Sequence, residues 1–247
     1  MEAILILGVA GSGKSTLTRS LGTWLSERYQ AKACMVNLDP GAELLPYTPD
    51  VDVRRYISLR EVMRREGLGP NGALIRCVEL ILDVFGRLVD EMTSSGSDYI
   101  IIDTPGQMDL FALRPVGRRI VEAISNICPL AGVFLGDHEP GRELEDAAFA
   151  ALMSRLIELK LAVPVVPVVN KKDLWSELPV ERLWASLISG ELVAEGVVGE
   201  TLRELARAMS SFSRPVRIIG ISAIKGEGLE ELMDLLKEVW CSCGDMT

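Results

Sequence analysis

The sequence is poor in the residues that mark secreted, metal-bound and membrane proteins. It holds one histidine, His138, and five cysteines, Cys34, Cys77, Cys128, Cys241 and Cys243. That number is odd and no pair forms C-x-x-C, which argues against a disulfide framework or a zinc site and fits a reducing cytoplasm. No apolar run approaches the roughly 18 residues of a membrane span. The end Gly244-Asp245-Met246-Thr247 is not a prenylation box, so no membrane anchor is expected. Residues Ala3 to Leu7 lack the basic flank of a signal peptide and run straight into a glycine loop, as a buried first strand would. Cations are also scarce: 26 Lys and Arg against 35 Asp and Glu leave a net charge of −9. Broad binding to nucleic acid or anionic lipid is therefore not expected. The basic stretches Arg54 to Arg65 and Arg114 to Arg119 read as solvated helix faces or a protein contact. Amide side chains number six, a scarcity that fits a heat-adapted source. Repeats and low-complexity segments are absent.

What is present is ordinary for a soluble globular enzyme: 48% hydrophobic and 25% charged residues. Short apolar runs alternate with longer segments of helical period, the rhythm of an α/β, doubly wound, mostly parallel sheet. Expected strands are Ala3 to Leu7, Lys32 to Asn37, Asp98 to Asp103, Ala131 to Gly136, Val163 to Asn170 and Val216 to Ser222. Helices are expected at Lys14 to Arg28, Leu74 to Met92, Glu139 to Lys160 and Leu229 to Val239. A single domain over 1–247 is expected, with helical insertions at about 50–96 and 174–214. Ligands of such sheets sit beyond the carboxyl ends of the strands.

Residues Gly8-Val9-Ala10-Gly11-Ser12-Gly13-Lys14-Ser15 match G-x-x-x-x-G-K-[ST] between a strand and a helix, the setting that phosphate binding requires. Gly11, Ser12, Gly13, Lys14, Ser15 and Thr16 are the candidate phosphate-binding residues. Backbone N–H groups and the helix N-terminus favour the anion, Lys14 reaches the β- and γ-phosphates, and the Ser15 hydroxyl ligates Mg2+. The motif implies the P-loop NTPase type of sheet and leaves the base open.

Asn170-Lys171-Lys172-Asp173 follows the fifth apolar run in the pattern N-K-x-D. A carboxylate at Asp173 can accept from both N1–H and the exocyclic amine of guanine, where adenine has no such donor pair. Charge-assisted bonds of about 1.5–3 kcal/mol each make that discrimination large. Asn170 would meet the N7 side and the Lys171 stem would cover the base plane. Ser222-Ala223 follows the last run, where the Ala223 N–H can donate to guanine O6; Ser222 is equally suited to start a helix.

Asp103-Thr104-Pro105-Gly106-Gln107 ends the strand Tyr99 to Ile102. Asp103 is placed as a direct or outer Mg2+ partner, Gly106 N–H as a γ-phosphate donor, and Gln107 to orient the attacking water. Asp39-Pro40-Gly41-Ala42-Glu43 follows the second strand. Asp39 either binds a magnesium water, helps deprotonate the nucleophilic water, or only forms a turn.

Between these segments lies Gly67-Leu68-Gly69-Pro70-Asn71-Gly72, by composition a tight turn between helical stretches. Taken with the four motifs above, in this order, Gly69-Pro70-Asn71 makes the chain resemble the GPN-loop GTPase family over residues 1 to about 240. The resemblance implies a homodimer in which each Gly-Pro-Asn loop reaches the partner's phosphate site, so that Asn71 acts in trans. An amide donor there would stabilise phosphate charge, and Pro70 stiffens its loop. Some members of the wider dimerising class carry an early P-loop lysine; Val9 stands there in this chain. Asp137 and His138 are expected to be loop residues, and Trp175 and Trp184 packing residues.

Three readings follow. The first is a GTPase that hydrolyses GTP to GDP and phosphate with Mg2+, a nucleotide-dependent homodimeric switch assisting an unidentified protein client. The second is a P-loop kinase of a small molecule, disfavoured by the guanine motif and by Gln107. The third is a non-hydrolysing GTP-dependent binding module, which single-turnover hydrolysis would reject.

Overall fold

The computed structural model describes residues 1–139, 142–175, 179–191, 196–211 and 216–244. Residues 140 and 141 of one expected helix, 176–178, 192–195 and 212–214 of the second expected insertion, and 245–247 lie outside these. In chain order the elements are β1 (Glu2–Gly8), α1 (Lys14–Tyr29), β2 (Ala33–Asn37), β3 (Val51–Asp52), α2 (Leu59–Glu66), α3 (Pro70–Ser94), β4 (Tyr99–Asp103) and α4 (Met108–Phe111). Then come α5 (Pro115–Ser125), β5 (Leu130–Gly136), α6 (Glu143–Leu161), β6 (Val165–Val169), α7 (Val180–Ser189), α8 (Gly196–Ser210), β7 (Ile219–Gly220) and α9 (Leu229–Gly244).

The strands form one parallel sheet in the order β3-β2-β4-β1-β5-β6-β7. β1 is central because its apolar run is buried on both faces, and its residues alternate between two layers. Ile4 and Ile6 face Leu17, Leu21 and Leu25 of α1 and Leu232, Met233 and Leu236 of α9. Leu5 and Leu7 belong to the other layer, with Ile81 and Leu88 of α3, Ile120 of α5 and Ile157 of α6. Each such fully buried aliphatic stabilises the fold by roughly 1.5–3 kcal/mol. The chain leaves β1 in one direction to β2 and β3, then returns through β4 and continues on the other side, so a crevice opens beyond β1 and β4.

Four expectations need correction. Seven strands are described instead of six, because Val51–Asp52 pairs with Val36–Asn37 over a length too short to show periodicity. The last strand is only Ile219–Gly220, not Val216 to Ser222. β6 explains this. Ile221 N–H bonds to Val169 O, so the odd residues of β6 face β7; among them Pro167 has no N–H, and Val165 N–H is taken by Glu158 Oε1 at 3.1 Å. Below Val168 the β6 edge therefore offers a partner strand no free donor. Finally, the helix expected from Leu74 begins at Pro70, and α6 begins at Glu143 instead of Glu139. Helical structure does occupy both expected insertions, as α2 and α3 and as α7 and α8.

Helix α5 packs so tightly on the preceding turn that a Cβ at Gly117 would overlap the main-chain carbonyl oxygen of Phe111. Backbone cannot yield as a side chain can. Gly117→Ala is expected to destabilise the protein by roughly 1–3 kcal/mol, measured as a lower urea midpoint at unchanged slope; an unchanged midpoint would refute the packing argument.

Candidate active site

The loops after β1, β2, β4, β5, β6 and β7 meet at the carboxyl edge of the sheet. Gly8 to Gly13 turns the chain from β1 into α1, and Gly13 caps the helix at φ 97°, where a side chain would also overlap Asn170 Nδ2. Lys14 folds back on its own loop: its Nζ donates to Gly8 O at 3.0 Å and Val9 O at 2.8 Å. Ser12 Oγ is buried without a hydrogen-bond partner. Ala10, Gly11, Gly13, Lys14, Ser15, Thr16, Asp39, Thr104 and Gly106 line a cleft of about 630 Å³, edged by Leu44, Leu45 and Pro46. Its donors suit an anion.

Asn170 joins the loops. Its Nδ2 donates to Ser12 O at 2.8 Å and its Oδ1 accepts from Ala223 N at 3.0 Å. Ser222 Oγ donates to Asp173 Oδ1 at 2.6 Å, which together with Lys225 holds that half-buried carboxylate below its ordinary pKa despite some desolvation. Asn170, Asp173, Ser222 and Ala223 are thus brought together. Lys171, at φ 63°, pairs through its ammonium with Asp137 at the end of β5. Asp137 and His138 lie in a loop after β5, as expected; the His138 side chain is buried there, 3.3 Å from Asp146 and beside Trp175. Trp175 packs so closely on Gly220 that a Cβ there would overlap its ring, a packing role as expected.

On the phosphate side, Asp39 accepts from Gly41 N–H at 2.8 Å through Oδ1 and from Gly106 N–H at 3.2 Å through Oδ2. The Asp39 and Asp103 segments therefore touch, and the γ-phosphate donor expected at Gly106 is engaged by a carboxylate. Asp103 is buried; Tyr47 O–H donates to its Oδ2 at 3.1 Å, while Oδ1 has no hydrogen-bond partner. Among the described residues, no group of three or more His, Cys, Asp or Glu forms a metal cage. The set fits Mg2+ all the same: this ion takes one or two protein oxygens and completes its shell with water and phosphate. The partnerless Asp103 Oδ1 and the neighbouring Ser15 hydroxyl are suitable donors, with Asp39 across the cleft. Tyr47, Asn37, Asp52 and Arg54 were not foreseen as part of this cluster. Asn37, one of six amides and two residues before Asp39, was the detectable one.

Gln107 and Asn71 are both exposed. Gln107 caps α4, and its side chain makes no cap hydrogen bond. The Gly-Pro-Asn segment proves to be a helix start more than a free turn. Gly67 ends α2 in the left-handed region, Gly69 caps α3, and Pro70 occupies its first turn, where a missing N–H costs nothing. One turn on, Leu74 packs against Gly41 of the Asp39 segment.

Residues 6–242 match a protein family described as "Conserved hypothetical ATP binding protein". A GPN-loop GTPase of Pyrococcus abyssi is 35% identical over 252 residues, covering 99% of both chains. GPN-loop GTPase 1 of Dictyostelium discoideum is 31% identical over 94% of this chain, which spans 59% of that relative's length. Among solved structures, the crystal structure of a GTPase in apo form from Pyrococcus abyssi superposes with a TM-score of 0.78 at 31% identity, covering 98% of each chain. Among the described residues, no helix is long and apolar enough to cross a membrane.

The charges of the cleft stand in tension. Burial pushes the Lys14 ammonium below its usual pKa, and Asp103 and Asp39 oppose that shift. Burial pushes Asp103 up to about 6, against the favourable effects of Ser15, Tyr47 and Lys14. A carboxyl whose pKa is higher folded than unfolded contributes stability below the unfolded value, near 4, and loses it as pH rises through 6. The ionised group is thus a net cost at neutral pH, roughly 3 kcal/mol at most. Asp103→Asn should therefore raise the melting temperature of nucleotide- and magnesium-free protein at pH 7.5, with the gain shrinking toward pH 4; thermal scans across that range check it, and a gain independent of pH would show another cause.

Proposed function

This chain belongs to the GPN-loop GTPase family, and on that premise we propose that it hydrolyses GTP to GDP and phosphate with Mg2+ as a cytoplasmic, nucleotide-dependent homodimer. The observation that carries the reading is the union, through Asn170, of a complete P-loop with the N-K-x-D and Ser222-Ala223 segments. The family description speaks of ATP. The base edge of this site speaks for guanine: Asp173 offers two carboxylate oxygens, suited to the paired N1–H and amine donors of guanine, a pair that adenine lacks.

In this reading the Lys14 ammonium leaves the Gly8 and Val9 carbonyls for the β- and γ-phosphates, and the P-loop N–H groups close on the same oxygens. Ser15 and Asp103 would hold Mg2+, which would supply neutralisation of phosphate charge. The γ-phosphate takes the Gly106 N–H from Asp39, which frees a carboxylate beside the place where water must attack. Gln107, exposed at the start of α4, orients that water. Asn71, exposed on the first turn of α3, is available to a second copy, which supports its action on the partner's phosphate. Because Leu74 of the same turn packs on Gly41, nucleotide-dependent movement of the Asp39 segment would be felt at the dimer contact and so by a protein client.

Asp173→Asn should replace an acceptor pair by one donor and one acceptor and lower guanine affinity by roughly 2–3 kcal/mol, with little change for ATP. Titration of both nucleotides measures this; equal GTP and ATP affinities in the unmutated chain would reject guanine selectivity.

The dimer reading is tested by complementation. Asn71→Ala and Lys14→Ala chains are each expected to be nearly inactive, and their mixture should regain part of the GTPase rate once subunits exchange. In the mixed dimer an intact P-loop faces an intact Asn71. Full activity in a monomer would remove the trans assignment.

A further inference from the structure

The segment Asp39 to Ala42 is tied at both ends to one carboxylate outside the motifs. Asn37, fully buried, accepts from Asp39 N–H at 3.0 Å through Oδ1. Its Nδ2 donates to Asp39 O at 3.2 Å and to Asp52 Oδ1 at 2.9 Å. The main chain of Asp39 is thus clasped from both sides, and every polar atom of the buried amide is used. Asn37 and Asp52 are register partners of β2 and β3, so the two-residue strand β3 sets this contact. Asp52 also receives Arg54: Nε at 3.0 Å on Oδ1 and Nη2 at 2.8 Å on Oδ2, a bidentate pair. The remaining Arg54 arm, Nη1, donates to Ala42 O at 2.9 Å.

We propose that Asp52 and Arg54 are positioning residues which, through Asn37 at one end and the Ala42 carbonyl at the other, aim the Asp39 carboxylate at the phosphate cleft. The inference deepens the proposed hydrolytic reading and rests on it for the role of Asp39. Several features distinguish such a device from general fold support. Arg54 is part-exposed and spans a turn instead of filling the core. Its free arm reaches the motif segment, not the sheet. Although burial opposes the charge of Asp52, Arg54 and Asn37 outweigh it and keep the carboxyl below its ordinary pKa, so the pair remains ionised at neutral pH. Between the clasped ends the Asp39 side chain turns outward onto Gly41 and Gly106 N–H, with its direction set by the ties at both ends of the segment.

The full-length chain serves as the test. Arg54→Ala frees Ala42 and leaves Asp52 without its bidentate partner. Turnover at saturating GTP and magnesium should fall roughly tenfold or more, while affinity for a non-hydrolysed GTP analogue stays within about twofold. In nucleotide-free protein, amide hydrogen exchange at Gly41 and Gly106 should quicken, with no change at Gly8 to Ser15. Arg54→Lys keeps a charge beside Asp52 but cannot hold both oxygens and the Ala42 carbonyl, so it should lie between; it also serves if the alanine variant folds poorly. Unchanged exchange at Gly106 in both variants overturns the proposal whatever happens to turnover. Loss of affinity equal to the loss of turnover overturns it as well, because the whole cleft would then have moved. If Asp39→Ala keeps full turnover, the hydrolytic role of Asp39 falls, while the exchange measurement still decides whether Arg54 positions it.

Discussion

One buried amide holds the site together. Asn170 touches the P-loop through Ser12 and the last loop through Ala223, so segments that begin at β1, β6 and β7 cannot move independently. A buried amide left half-bonded costs about 1–3 kcal/mol, which makes the three loops a cooperative unit in place of three separate recognition elements. Gly13 completes the arrangement: a side chain there would occupy the place of the amide itself. The P-loop and the two segments proposed to hold the base are therefore registered to each other by the fold itself, which in that reading leaves less ordering for binding to accomplish.

The opposite side of the cleft is built on unresolved charge. Asp103 is buried with one oxygen unpartnered, Lys14 spends its ammonium on its own loop, and Asp39 holds an N–H that the proposed mechanism assigns to phosphate. In the proposed reading, phosphate and a cation would supply new partners to these groups. The network around Asn37, Asp52 and Arg54 is the converse. It is fully bonded and gives the Asp39 carboxylate a defined base.

The Gly-Pro-Asn segment joins the two ideas. Proline at the first turn of α3 needs no N–H partner, so the helix can begin abruptly at the surface with Asn71 exposed. The same turn contacts the Asp39 segment through Leu74 and Gly41. Asn71 thus shares helix α3 with Leu74, which packs on the Asp39 segment.

Family and sheet class were legible in the residues because they depend on local chemistry. A glycine-lysine loop between a strand and a helix, an acid at the end of Tyr99 to Ile102, and N-K-x-D after an apolar run each carry their meaning within a few consecutive positions. The Gly-Pro-Asn triplet acquired meaning from their order. Beyond that reach the sequence was silent: Val51–Asp52 is too short to alternate, and β7 was overestimated because its length depends on Pro167 and Glu158 of its neighbourhood. That Asp137 pairs with Lys171 was not legible, and Asp52 and Arg54 looked like surface charges until β3 set them beneath Asp39. Motif identity was determined by the sequence alone, since backbone geometry and side-chain type suffice for it. Which polar group satisfies which across separate loops was decided by tertiary structure, because burial makes pairing obligatory only once the chain has closed on itself.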